Sequence, residues 1–117
     1  MFITCRGTVG NIAIAAFPMA MNQSCYAIQG KNNLPPFFIY ELMRYVIATM
    51  KQKAVGAVFN ALVTNDFNME NIFRPAIIKA NEFETQVKPI FNTILNNSME
   101  IKRLRDLQNN LLSTLSR

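Results

Sequence analysis

Up to residue 29 the chain sets apolar residues in short runs broken by glycine and asparagine; from Pro36 onward they recur mostly at helical spacing. Residues 2–5, the turn Arg6-Gly7-Thr8-Val9-Gly10 and residues 11–16 predict strand, tight turn, strand, because the two glycines supply the backbone freedom a turn needs. A third strand is expected over residues 24–29. After a loop at 30–33, Pro35 and Pro36 suit a first helical turn, where a missing N–H costs nothing. A helix is then expected over 37–53, with Phe38, Leu42, Tyr45, Val46 and Met50 on one face as core. Residues 56–64 have no helical period and read as a loop or short strand, followed by a helical turn near 65–70. Residues 72–78 predict a closing strand, which Pro75 places at an edge.

From Asn81 the pattern is helical to the end of the chain, without a single glycine. Asn81 is positioned to cap this helix, with Glu84 completing a capping box and Glu82 and Glu84 favouring the positive end of its dipole. With Val87 at a heptad a position, the a set is Val87, Ile94, Ile101, Gln108 and Leu115, and the d set is Ile90, Asn97, Leu104 and Leu111. At about 1.5 Å per residue this is a rod on the order of 50 Å long. A stripe of that length needs another helix to cover it. Asn97 and Gln108 interrupt it, and a buried amide in a coiled coil weakens pairing while fixing register and partner. Pro89 is expected to kink the helix or delay its regular part.

The elements add up to an α+β fold: a small β-rich unit with one packed helix over residues 1–80, then a coiled-coil helix over 81–117. A length of 117 residues fits one modest domain plus one long element. Half the residues are apolar and the mean hydropathy is +0.12, high for a small protein with a polar surface, so a partner surface is expected. The net charge of +5 is concentrated in the first part: residues 1–80 carry seven Lys and Arg against three Asp and Glu, residues 81–117 five against four. A polyanion is the natural partner for such a surface, and a merely solvated basic face is the plain alternative.

Several chemistries are excluded or weakened. The chain has no histidine, so no Ser-His-Asp or Cys-His arrangement exists and the commonest general base is missing. Two cysteines, Cys5 and Cys25, can form neither a disulfide framework nor a four-ligand zinc site, and are expected as reduced, buried thiols of a cytoplasmic protein. No cofactor motif occurs, and no apolar run approaches the roughly 18 residues that span a bilayer. The segment Asn33-Leu34-Pro35-Pro36-Phe37 resembles the Asn-Pro-Pro-Phe motif with which amino-methyltransferases grip a flipped adenine. Leu34 displaces the asparagine by one residue, and no glycine-rich cofactor loop precedes it.

Cys5-Arg6-Gly7-Thr8-Val9-Gly10 followed by a strand, Asn22-Gln23-Ser24-Cys25 opening the next one, Gly56-Ala57-Val58-Phe59-Asn60 with Asn65-Asp66-Phe67 after the apolar helix, and Glu84-Thr85-Gln86 at the long helix occur in this order. Together they resemble the DNA specificity subunits of type I restriction-modification systems, over nearly the whole chain. Ala57 stands where the family often has Ser or Thr, and the proline-rich link before the spacer helix is reduced to Pro75.

The resemblance implies a partly truncated target-recognition domain joined to a spacer helix, with no catalysis of its own. In the family, two recognition domains read the halves of a split DNA target, and spacer helices of one chain pack antiparallel and dock methylation subunits, which restriction subunits then join. The partners implied are double-stranded DNA, methylation and restriction subunits and, because this spacer helix lacks its companion, a second copy of the chain. Arg6, Thr8, Asn22, Gln23, Lys51, Lys53 and Asn60 are the expected DNA-facing groups, cations for phosphates and amides or hydroxyls for base edges. The alternative is an assembly module that has lost DNA binding; an unrelated enzyme is the most distant reading.

Overall fold

The computed structural model describes residues 1–53 and 61–115. It opens on a three-stranded sheet of order β2-β1-β3, formed by β1 (Phe2–Thr4), β2 (Ile12–Ala13) and β3 (Cys25–Ala27). Both neighbours run antiparallel to β1, with Ile3 opposite Ile12 on one side and opposite Tyr26 on the other. The strands are shorter than the apolar runs that predict them, because residues 14–24 leave the ladder. The β1–β2 turn is closed by Gly10 N–H donating to the Thr4 carbonyl at 2.8 Å and Asn11 N–H donating to Thr4 Oγ1 at 3.0 Å. Gly10 sits at φ 75°, and a Cβ there would lie 2.8 Å from both Ile47 Cγ2 and Lys51 Cε. Only glycine lets this turn press so closely on the helix that follows.

That helix, α1 (Pro36–Lys53), starts on the second of the paired prolines and buries Phe37, Ile39, Met43, Val46, Ile47 and Met50. All but Phe37 join Ile3, Cys5, Val9 and Leu62 in one core, with Phe38 and Leu42 at its margin. Tyr45, expected in the core, is 71% exposed. The buried stripe runs through 39, 43, 46, 47 and 50, and residue 45 falls beside it rather than on it. Cys5 is buried as expected, whereas Cys25 is only half-buried; both are free thiols.

After the residues outside the description, Ala61 bridges Arg6 and Leu62 N–H donates to the Cys5 carbonyl at 3.0 Å, prolonging the line of β1. The short α2 (Thr64–Asn68) follows, with Asp66 accepting from Val63 N–H at 2.7 Å. The closing strand expected at 72–78 is absent. Residues 71–76 are irregular and α3 (Ile77–Leu115) begins directly after them, 39 residues or about 58 Å long. Asn81 is therefore not a cap: it lies inside α3, and its carbonyl accepts the Thr85 hydroxyl at 2.9 Å. Ala80 explains the earlier start, since it is fully buried and shares a helical face with Phe83, Glu84 and Val87, all half-buried. The two β-branched residues Ile77 and Ile78 imitate a strand locally. Helix α3 runs unbroken through Pro89, whose carbonyl accepts the Thr93 hydroxyl at 3.0 Å. The architecture is α+β: a sheet and α1 around one core, and a long helix laid across α1.

Candidate functional site: a polar head end and an apolar rod

The antiparallel topology gathers the expected DNA-facing residues at one end of the head. The β1–β2 turn carries Arg6 and Thr8, the approach to β3 carries Asn22 and Gln23, and the last turn of α1 carries Lys51 and Lys53. All six are exposed. The turn and the start of β3 are tied by Cys5 N–H donating to the Ser24 carbonyl at 2.8 Å, and the turn and α1 by Lys51 Nζ donating to the Gly10 carbonyl at 3.2 Å. Asn60 lies outside the described residues.

Several of these groups already have work within the chain. Asn22 Oδ1 accepts Ser24 N–H at 3.0 Å, an Asx turn that leads the chain into β3. Thr4 Oγ1 donates to the Thr8 carbonyl. Lys53 Nζ reaches both carboxylate oxygens of Glu70, the nearer at 2.7 Å, which partly neutralises it. Arg6 has an exposed side chain, and Lys51 bonds a neutral carbonyl. Both cations on α1 also complement the negative pole of that helix.

The second surface is α3. Its first part clasps the head: Phe83 meets Phe38 edge-on at 6.0 Å, and Phe91 stacks on Phe37 at 4.5 Å and meets Tyr40 edge-on at 5.4 Å. Glu84, expected to serve the start of its own helix, instead points across the contact. Its Oε2 accepts Phe37 N–H at 3.0 Å and Phe38 N–H at 2.9 Å. It thus supplies the cap that two prolines and Phe37 cannot provide for α1, placing a carboxylate at the positive end of that helix. No local motif signals this pairing, because the partners are 46 and 47 residues apart.

Of the expected coiled-coil positions, Val87 is half-buried beside the head, while Ile90, Ile94, Asn97, Ile101, Leu104, Gln108, Leu111 and Leu115 are exposed. Leu107 and Leu112 add apolar surface beside them, and from Glu100 on every described residue of α3 is exposed. Lys102 pairs with Asp106 at 2.7 Å and lies over the ring of Phe17, at 5.8 Å from its centre.

At the opposite end of the sheet the segment 32–37 borders an open groove with Met1, Ile14 and Ile28. Glu84 already occupies the amides of Phe37 and Phe38 there. Among the described residues no group of three or more His, Cys, Asp or Glu could hold a metal ion, and no helix is long and apolar enough to cross a membrane. No family model matches the chain, and no curated protein or solved structure is significantly similar to it.

Proposed function

We propose that this chain is a non-catalytic DNA sequence-recognition subunit, or part of one, of a cytoplasmic type I restriction-modification system. In this reading the head binds duplex DNA and α3 docks methylation subunits, to which restriction subunits add, while pairing with a second copy of itself. The observation that carries it is the union of two features in one chain: a polar, basic head end built from Arg6, Thr8, Asn22, Gln23 and Lys51, and a continuous helix whose heptad stripe is exposed from Ile90 to Leu115. Arg6 and Lys51 would neutralise phosphates and set the orientation of the duplex; Thr8, Asn22 and Gln23 offer hydroxyl and amide groups to base edges.

The decisive experiment is duplex binding as a function of salt. Each phosphate contact lowers the log–log slope by about 0.9, so neutralising Arg6 and Lys51 together should flatten it by roughly 2 and weaken binding on all sequences alike. An unchanged slope would remove both residues from the interface.

A second reading, that of an assembly module without DNA binding, draws on the engagement of the cations: Lys53 is paired with Glu70 and Lys51 is bonded to Gly10. It predicts a dimer by light scattering together with no salt-dependent DNA affinity.

A further inference from the structure

We infer that the outer face of the sheet binds a soft monovalent metal ion, Cu(I) or its analogue Ag(I), between the sulfurs of Met19, Met21 and Cys25. The site lies apart from the exposed stripe of α3, and its test involves no DNA.

The two faces of the sheet are covered unequally. Ile3 and Cys5 point into the core shared with α1. Side chains alternate along a strand, so Phe2 and Thr4 face the other way. On that outer side the register sets Ala13 and Ala27 beside Phe2, and Cys25 beside Thr4. Two alanines leave the face shallow, and the connection from β2 to β3 borders it. Met19 and Met21 of this connection line one depression of about 360 Å³ with Phe2, Thr4 and Cys25. Both methionines are 51% exposed and Cys25 is half-buried, so an ion from solvent can reach them.

The chain is fastened where these residues meet. Asn22 follows Met21 directly; its Oδ1 accepts Ser24 N–H at 3.0 Å and its carbonyl accepts Cys25 N–H at 3.2 Å. This turn brings the residues on either side of it close together. The unbranched methionine side chain, with its three rotatable bonds, lets both thioethers turn toward a common point without moving the backbone. Cys5 cannot take part: it lies on the core face, 4% exposed, with its thiol donating to the Gln23 carbonyl at 3.7 Å. Cys25 is a free thiol on the opposite face.

Donor type and charge select the ion. One thiolate with two thioethers is a soft set that suits Cu(I) and Ag(I), whereas Zn(II) favours further thiolates or imidazoles and hard cations need oxygen ligands. The chain has no histidine, and none of the residues lining the depression is charged. A monovalent ion on a single thiolate forms a neutral complex; a divalent one would leave a positive charge without a counter-ion. On binding, the Cys25 S–H bond breaks, a sulfur–metal bond forms and one proton goes to solvent. The thioethers donate lone pairs, and no electron is transferred. A plain apolar cover over Phe2 is the competing role of Met19 and Met21.

Ag(I) added to the full, reduced chain is the first probe, and Cu(I) delivered from a bicinchoninate complex the second. A single tight equivalent should bind with release of a proton. In spectra of methyl-labelled methionine, the Met19 and Met21 signals should move with that equivalent, while Met43 and Met50 in the core stay in place. Cys25→Ser should abolish the tight equivalent. Met19→Leu with Met21→Leu keeps the thiol and the apolar cover, and should weaken binding by about tenfold or more, since even loss of an outer-shell partner costs that much. Equally tight binding in the double variant, or methyl signals that do not move in the wild-type chain, would reduce the site to a lone thiol and overturn the inference. An equivalent that survives Cys25→Ser would overturn it by placing the metal elsewhere. The methyl signals of the wild-type chain decide the matter even if a variant folds poorly.

Discussion

The two ends of α3 carry one continuous heptad pattern and meet opposite surroundings. Toward its start, Ala80 is fully buried, and Phe83, Glu84 and Phe91 are engaged by α1 through ring contacts and a carboxylate on two backbone amides. From Glu100 on, leucines and isoleucines at equivalent spacing stand in solvent. Periodicity therefore reports that a face must be covered, not what covers it. The first portion is completed within the molecule; the second has an apolar face that costs free energy while it remains in water.

This contrast can be tested by comparing substitutions whose effects are independent of concentration with those that are not. Ile3→Ala, at the fully buried centre of the head, should lower the unfolding free energy by about 3 kcal/mol, to the same extent at every protein concentration in denaturant titrations. Glu84→Ala leaves two amides at the start of α1 without their acceptor and should cost about 1.5 kcal/mol, again at every concentration; Glu84→Gln, which keeps a neutral acceptor oxygen, should cost less. Leu104→Ala should stay within about 0.5 kcal/mol in a dilute monomer, because the residue is 58% exposed. At high concentration it should lower the apparent melting temperature through weaker pairing. Asp106→Asn, which removes one partner of an exposed pair, should change stability by about 0.3 kcal/mol at most, with the difference vanishing in high salt.

Features set by local chemistry were legible in the sequence. The glycine turn between the first strands, the paired prolines opening α1, the short α2 and the long final helix follow from φ preferences and from hydrophobic period. The strands came out shorter than their apolar runs because pairing, not composition, ends a ladder. Tyr45 fits a core face by spacing alone, because several apolar sets on α1 share the helical period and only the sheet decides which faces inward. The start of α3 is hidden in the sequence because Ile77 and Ile78 favour a strand locally, whereas burial of Ala80 in the folded chain favours a helix. Glu84 shows the limit most clearly: as a sequence signal it suits a capping box for its own helix, and its actual acceptor role depends on a contact made 46 residues away. Of the expected DNA-facing residues, their collection at one end followed from the antiparallel strands, but the pairing of Lys53 with Glu70 did not.

The cap supplied by Glu84 also imposes an order in time. At roughly 5–20 residues per second, synthesis needs about 2–6 s to travel from the end of α1 to residue 84. Throughout that interval the first helix emerges with two unanswered amides and an uncovered Phe37. The head thus reaches its final stability only after the beginning of the rod has been made and docked, so a ribosome that stalls between the two holds a nascent chain whose first helix is still unfinished.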